Sequence, residues 1–275
     1  MWSIGIYTGD SPYRLKPATH NPVLTRADVT DRSATFVADP FVIRHKNLWF
    51  MFFEVMTNTD RGEIAFATSE NGFDWTYQQI ILSEPFHLSY PYVFEWQGAH
   101  YMIPEALGSE AACLYKADDF PLRWSLEARL IEGPCADPSI FRFDDVWWMF
   151  VCSTPYQHDT LRLYFADRLT GPWREHPNSP VVKADKCRAR PAGRVLTLNN
   201  KVIRFAQDCV PQYGTRVRAM NVLELNRRDY VELEHRDGPI LEPRGNGWNA
   251  RGMHHVDAHQ QPDGKWLACV DGFCG

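Results

Sequence analysis

The chain has 275 residues, of which 44% are apolar and 13% aromatic, and its formal net charge is −5 at neutral pH. This balance argues against nucleic-acid binding, which calls for a basic face, and no run of about 18 apolar residues predicts a membrane span. The N-terminus, Met1-Trp2-Ser3-Ile4, lacks the basic and apolar regions of a signal peptide, and the seven cysteines lack metal-type spacing. We therefore expect a cytoplasmic protein with reduced thiols.

One sequence pattern recurs along the chain. Pro40, Pro91, Pro138 and Pro191 lie about 50 residues apart, a period typical of radial or stacked repeats. Roughly ten residues after each proline comes an aromatic or apolar segment that predicts a strand. These segments are Trp49–Phe53, His100–Ile103, Trp147–Val151 and Lys201–Phe205.

A fainter fifth copy, Gly252–Asp257 followed by Asp263–Val270, lacks the third strand that the other copies have. Ile4–Gly9 at the N-terminus could supply that strand. We therefore predict an all-β fold, a five-bladed β-propeller with a single domain over 1–275, whose fifth blade is closed by the N-terminal strand. The segments Asp10–Thr30 and Arg236–Asn249 are predicted to be the longest irregular loops. The third strands of the first four copies are predicted within Gly62–Trp75, Ala111–Trp124, Leu161–Trp173 and Arg216–Tyr230.

The first strand of each propeller blade lines the central channel, so its starting residues should meet at one mouth. Here these residues are polar: Asp39, Tyr90, Asp137, Arg190 and the pair His254-His255. Buried charges require partners, so one interpretation is that they pair with one another and merely hold the ring closed. Two carboxylates on different blades that face one cavity also suit glycosidic-bond chemistry.

Two of these motifs, Asp39-Pro40 and Asp137-Pro138, together with Gly252…His254-His255, resemble the five-bladed propellers of glycoside hydrolase family 43. The resemblance implies that Asp39 is a general base and that Asp137 tunes the pKa of the acid and orients the substrate. It also implies a histidine of the fifth blade near the channel, beside a bound ion.

Longer runs carry a closer resemblance. Phe36–Phe41, Glu84–Phe94, Arg204–Cys209 and Gly252–His255 resemble the propeller domain that precedes the transferase domain in plant glucosamine inositolphosphorylceramide transferases, and its stand-alone bacterial relatives. This resemblance implies a sugar or nucleotide-sugar ligand, and a partner glycosyltransferase is a further alternative.

The fourth blade departs from family 43, where a Glu-Gly-Pro motif supplies the general acid. The matching stretch here is Ala189-Arg190-Pro191. Transfer from a nucleotide sugar needs no such acid, because its leaving group is a phosphate that Arg190 and Arg194 could stabilise. This favours glycosyl transfer with Asp39 as general base. The alternatives are a family-43-type hydrolase with Glu105 as relocated acid, and a non-catalytic carbohydrate-binding or scaffold propeller that serves a partner transferase.

Further residues complete the predicted site. Glu54 and Glu105 hold equivalent places on second strands, and the run before Glu105 is apolar, which would raise its pKa. Adjacent histidines on a strand point to opposite faces, and one histidine with a carboxylate is too few ligands for zinc. We therefore expect no catalytic metal and no required cofactor, while a structural calcium or sodium ion in the channel stays open. The remaining candidate substrate-binding residues are Tyr90, His87, Asp208, His254, His255, Asp257 and Trp248.

Overall fold

A computed structural model describes residues 1–275, whose 21 strands form five antiparallel sheets. Three single-turn 3-10 helices lie between strands, at Arg26–Asp28, Leu107–Ser109 and Gly247–Asn249. No helix has the length and apolarity that crossing a membrane requires. The strands in chain order are β1 (Trp2–Ser11), β2 (Arg14–Pro17), β3 (Ala34–His45), β4 (Leu48–Thr57), β5 (Gly62–Ser69), β6 (Thr76–Leu82), β7 (Ser89–Trp96), β8 (Ala99–Glu105), β9 (Ala111–Asp119), β10 (Arg123–Glu132), β11 (Ala136–Phe143), β12 (Val146–Cys152), β13 (Leu161–Ala166), β14 (Arg174–Glu175), β15 (Arg190–Pro191), β16 (Leu196–Leu198), β17 (Lys201–Asp208), β18 (Arg216–Leu225), β19 (Tyr230–Glu234), β20 (Val256–Gln260) and β21 (Trp266–Phe273).

Each sheet is one blade of a five-bladed propeller, which confirms the predicted fold. Blades one, two and three are β3–β6, β7–β10 and β11–β14, and blade four comprises β15–β19. Blade five has the order β20-β21-β1-β2. The first strands contact one another around the ring, and a parallel bridge between Gly193 and Val256 joins blade four to blade five.

The N-terminus completes the fifth blade, as predicted. Strand β1 pairs with β21 from Trp2 opposite Phe273 to Gly9 opposite Trp266. The prediction of an irregular segment after Asp10 is wrong in part, because β2 pairs back on β1 and supplies the fourth strand as well. Gly9 permits this tight hairpin, since a Cβ atom there would lie 2.0 Å from the carbonyl oxygen of Arg14.

The hydrophobic core lies mainly between the blades, and it reaches the first strands at Phe41 and Tyr90. Four buried clusters each join neighbouring sheets. Phe52 of blade one meets Trp124 of blade two edge-on at 5.7 Å, and Phe150 of blade three meets Tyr230 of blade four at 5.8 Å. Each large side chain buried in this way contributes about 1.5–3 kcal/mol. These contacts fix the first strands, and with them the polar side chains that face the channel.

Candidate functional site

The first strands of blades one to three share a β-bulge. Asp39, Tyr90 and Asp137 occupy the bulged position with φ of 55°, 48° and 48°, and strand register shifts by one residue at each. Left-handed backbone is uncommon outside glycine, above all for a bulky tyrosine. The proline that follows each of them has no N–H to give to the ladder, so the repeated motif itself interrupts pairing. The bulge changes the direction in which these three side chains leave the strand.

Carboxylates of the preceding blade bind the backbone N–H groups of the bulges. The N–H of Asp39 donates to Asp271 Oδ2 at 3.2 Å, and the N–H of Tyr90 donates to Asp39 Oδ2 at 3.2 Å. The N–H of Asp137 donates to Glu105 Oε2 at 3.1 Å. Buried side chains therefore link blade five to one, one to two, and two to three.

Arg190 lies at the start of β15, where the sequence predicted it, and its guanidinium bridges the carboxylates of Asp137 and Glu105. Its Nε donates to Asp137 Oδ2 at 2.6 Å and its Nη2 donates to Glu105 Oε2 at 3.0 Å. Its Nη1 donates to the Pro155 carbonyl at 2.9 Å and lies 3.0 Å from His158 Nδ1. The guanidinium is therefore fully engaged and buried.

The two adjacent histidines have different partners. His254 Nδ1 lies 2.7 Å from Asp271 Oδ2, and its Nε2 is 3.8 Å from Asp39 Oδ1. Burial opposes protonation of His254, but the attraction of Asp271 outweighs it and raises the pKa. Burial lowers the pKa of His255 to about 4, and its Nε2 lies 3.0 Å from the Pro40 carbonyl. His254 therefore belongs to the charged network, while His255 remains neutral.

The aspartates at the mouth have unusual proton affinity. Burial raises the pKa of Asp39 to about 7, although His254 acts against it. Burial likewise raises the pKa of Asp137 to about 7 despite its contact with Arg190. Asp39 Oδ1 accepts no hydrogen bond, since the nearest imidazole nitrogens, those of His254 and His255, stay 3.8 and 3.7 Å away. Of the two aspartates, Asp39 is therefore the one with a free carboxylate oxygen.

Aromatic and imidazole side chains form the exposed rim. Tyr213 is 39% exposed, packs 5.0 Å from the Arg190 guanidinium, and meets His254 edge-on. The side chain of His87 is 37% exposed and lies 3.4 Å from Glu54 Oε1. A cavity of about 540 Å³ is lined by Pro155, whose carbonyl accepts from Arg190, and by Tyr156, among others. Asp39, Asp137, Arg190 and His254 are themselves buried and form one cluster beneath Tyr213, which contacts both Arg190 and His254.

Two predicted residues lie in a separate network. Arg194 Nε donates to Asp257 Oδ1 at 2.6 Å, and its Nη2 donates to the Val42 carbonyl at 3.2 Å. The guanidinium also packs 5.0 Å from the Tyr92 ring. Although Asp257 is buried, Arg194 lowers its pKa well below the usual range. Neither residue contacts the cluster around Asp39, because the segment after Gly193 lies further along the channel than Arg190 does.

Two other predicted residues also face away from the mouth. Asp208 accepts from Arg218 at 2.7 Å on the opposite side of β17, and Trp248 packs against Gly5 and Gly272 of blade five. The neighbouring Gln207 takes the position expected of Asp208, and its Nε2 donates to Asp137 Oδ2 at 2.9 Å. Sequence reasoning missed Gln207, Asp271 and Tyr213. The repeat could have predicted Asp271, because Asp271 lies late in a second strand, as Glu54 and Glu105 do.

This arrangement can accept a proton and bind hydroxyl groups. Asp39 offers an unpaired carboxylate oxygen, and the rim offers imidazoles and a phenol. For a cation, Asp39, His254 and Asp271 bring three ligand atoms within 4.8 Å of one another. A cation bound there would compete with the close contact between His254 and Asp271.

Solved structures with this fold include several glycoside hydrolases. The catalytic domain of a GH62 α-L-arabinofuranosidase from Coprinopsis cinerea matches with a TM-score of 0.65 and 12% identity, covering 97% of this chain and 96% of that one. The family 117 glycoside hydrolase Zg3597 from Zobellia galactanivorans matches with a TM-score of 0.59 and 16% identity, covering 98% and 90%. At these identities the likeness establishes the fold alone.

Sequence comparisons establish the family. The family model for "Glucosamine inositolphosphorylceramide transferase 1, N-terminal" matches residues 1–273. Glucosamine inositolphosphorylceramide transferase 1 of Oryza sativa subsp. japonica is 35% identical over 98% of this chain, and that of Arabidopsis thaliana is 32% identical over 98%. The chain spans about two fifths of the length of these curated relatives, 40% and 39%. The chain belongs to the family of glucosamine inositolphosphorylceramide transferase N-terminal domains.

Proposed function

We propose that the chain binds a carbohydrate at the mouth around Asp39 and Asp137 and transfers a glycosyl group from an activated donor, with Asp39 as general base. The observation that carries this proposal is the state of Asp39. Its pKa is about 7 and its Oδ1 accepts no hydrogen bond, which suits a base that works near neutral pH. The transferase names of the relatives support a sugar ligand.

In the proposed reaction, Asp39 Oδ1 takes the proton of an acceptor hydroxyl while the hydroxyl oxygen forms a bond to the anomeric carbon of the donor. The bond from that carbon to the phosphate oxygen breaks, and its electron pair leaves with the phosphate. This leaving group needs no proton. That suits a site in which Glu105 is already bound to Arg190 and to the N–H of Asp137.

The roles of the arginines change in this proposal. Arg190 and Arg194 each have buried carboxylate partners, so neither guanidinium is free to bind a phosphate. Arg190 instead positions Asp137 and Glu105. Lys186 supplies a free cation beside the rim. It is exposed, has no carboxylate within 4.0 Å, and its charge helps to lower the pKa of the half-buried His158. We assign the donor phosphate to Lys186.

A family-43-type hydrolase is the second candidate, and the state of Asp137 favours it. The pKa of Asp137 is also about 7. Its Oδ2 accepts from Arg190 and Gln207, so the proton for a leaving alkoxide would be held by Oδ1, whose single contact, with Arg190 Nη2, is long at 3.5 Å. Glu105 is less suited to that role than the sequence indicated, because its Oε2 accepts hydrogen bonds from both Arg190 and the N–H of Asp137.

The test compares wild type with Asp39→Asn and with Asp145→Asn, an exposed control with a 91% exposed side chain. We expect Asp39→Asn to reduce turnover of nucleotide sugars by about 10²–10⁴-fold, with sugar binding retained and a melting temperature no lower than that of wild type, and Asp145→Asn to behave as wild type. Turnover confined to aryl glycosides and lost in Asp137→Asn would establish the hydrolase. Sugar binding in all variants without turnover of either substrate would make the propeller a binding module.

A further inference from the structure

A second polar cluster lies at the far end of the first strands, between blades one and two. Strand β3 contains Asp39 near its middle and ends at His45, so roughly 20 Å of extended chain separates the two residues. His45 approaches Glu95 and His100 of the β7–β8 hairpin, and the ligand atoms of the three side chains all lie within 4.8 Å of one another. This cluster has no part in the function proposed above.

The hairpin register explains why two of these side chains meet. Glu95 and His100 are directly opposed partners of β7 and β8, so both side chains project from the same face. His45 comes from the neighbouring blade and meets the His100 ring at 4.9 Å between centroids, with the planes at 76°. The cluster therefore draws on two blades.

His100 is the unusual member. The residue is only 7% exposed, and its Nε2 is buried without a hydrogen-bond partner. The closest carboxylate oxygen, Glu95 Oε2, stays 3.9 Å away. Phe120 stacks on the imidazole at 3.8 Å and fixes its plane. Leaving a buried nitrogen without a partner is destabilising, so His100 Nε2 lacks a group that would bind it.

We propose that His45, Glu95 and His100 bind a zinc-like divalent transition-metal ion, which links blade one to blade two. Two imidazoles and one carboxylate, with water in the remaining position, form a ligand set that zinc accepts. The ion would give His100 Nε2 its missing partner. Glu95 can close the site, because its side chain is 51% exposed and free to approach the ion.

The test uses untagged protein that has been treated with a chelator and dialysed. Zinc is titrated by calorimetry into wild type, His45→Ala and Glu95→Gln, and melting temperature is measured with and without zinc. His20→Ala, at an exposed histidine outside the cluster, is the matched control. Asp39→Asn removes the other three-ligand cluster, Asp39, His254 and Asp271.

We expect one zinc ion per chain. His45→Ala and Glu95→Gln should weaken its binding by more than about tenfold, the lower limit for the loss of a supporting group around a metal. Zinc should raise the melting temperature of wild type, His20→Ala and Asp39→Asn but not of Glu95→Gln, which alters an exposed side chain and should fold normally. The proposal is overturned if wild type binds no zinc, or if the binding is unchanged in His45→Ala and Glu95→Gln, or if Asp39→Asn alone removes it.

Discussion

The channel contains two buried ionic networks that differ in the ratio of acids to cations. At the mouth, Arg190 is shared by Asp137 and Glu105, while Asp39 and Asp271 share His254. Deeper in the channel, the single carboxylate of Asp257 has both Arg194 and His259 as partners. Burial is similar in both places, yet the pKa of Asp39 and Asp137 is about 7, whereas that of Asp257 is depressed.

The comparison shows that burial alone does not decide what a carboxylate does. A buried acid with its own arginine stays ionised and acts as a structural clamp. Buried acids that outnumber their cations hold protons near neutral pH and can exchange them with a substrate. Arg190 and Arg194 are only four positions apart in one segment, so the partners rather than the residue type separate the two roles.

The largest expected effect on stability comes from Arg194→Met, because it removes the arginine partner of the buried Asp257 and leaves only the Val42 N–H and the His259 imidazole beside this carboxylate. We expect a loss of about 3–5 kcal/mol in the free energy of unfolding, measured by urea denaturation. The matched control is Arg14→Met, since Arg14 pairs with Asp237 at the surface and should contribute less than about 1 kcal/mol. Similar losses for both variants would show that the deep pair is not a clamp.

The pH dependence of stability should separate the two aspartates. The folded-state pKa of Asp39 is raised to about 7. The protonated Asp39 carboxyl therefore contributes to the free energy of unfolding at low pH, and this contribution is lost as pH rises from about 4 to 7. Relative to wild type, Asp39→Asn should therefore become more stable over this window, with a slope of up to about 1.4 kcal/mol per pH unit.

Asp257→Asn should show the opposite behaviour. Because the folded-state pKa of Asp257 is lowered, the contribution of this carboxylate is complete above about pH 4 and is lost only in stronger acid. The stability difference between Asp257→Asn and wild type should thus stay constant from pH 4 to 7. Unfolding curves at several pH values check both variants, and parallel slopes would contradict the distinction.

Glu54 and Glu105 occupy equivalent positions but have different partners. Burial raises the pKa of Glu54 well above its usual value, which favours the neutral form, so we expect Glu54→Gln to cost little because it keeps the shape of a neutral side chain. Glu105→Gln removes a carboxylate from Arg190 and should cost about 1.5–3 kcal/mol in the free energy of unfolding. Chemical denaturation of both variants tests this, and a larger loss for Glu54→Gln would reverse the assignment.

The smallest effect is expected at the rim. Tyr213→Ala removes an exposed ring beside Arg190 and should weaken sugar binding by about 0.5–1.5 kcal/mol, or several-fold. Tyr213→Phe keeps the ring and should bind as wild type does. Calorimetric titration with the sugar gives the affinities. Equal affinity for all three proteins would place the sugar away from this rim.

The sequence was sufficient for the fold because a propeller repeats one local pattern. The Asp39-Pro40, Tyr90-Pro91 and Asp137-Pro138 motifs marked the first strands, since proline cannot continue the ladder and the residue before it takes up the bulge. The missing third strand of the last copy indicated Ile4–Gly9, and β1 pairs there. The hairpin that forms β2 carried no such repeated signal.

The sequence also assigned Asp39, Asp137, Arg190 and the pair His254-His255 to one mouth, because equivalent repeat positions meet around the ring, but it did not distinguish the two histidines. Only the tertiary structure decided which of the charged side chains form ion pairs and hydrogen bonds with one another. In the structure, Arg190 pairs with two carboxylates and Arg194 pairs with Asp257. Gln207 occupies the position that the sequence predicted for Asp208. These outcomes depend on distances between blades that are remote in the chain. The pKa values of the buried aspartates follow from those distances and from burial. The sequence pattern of a single repeat contains neither.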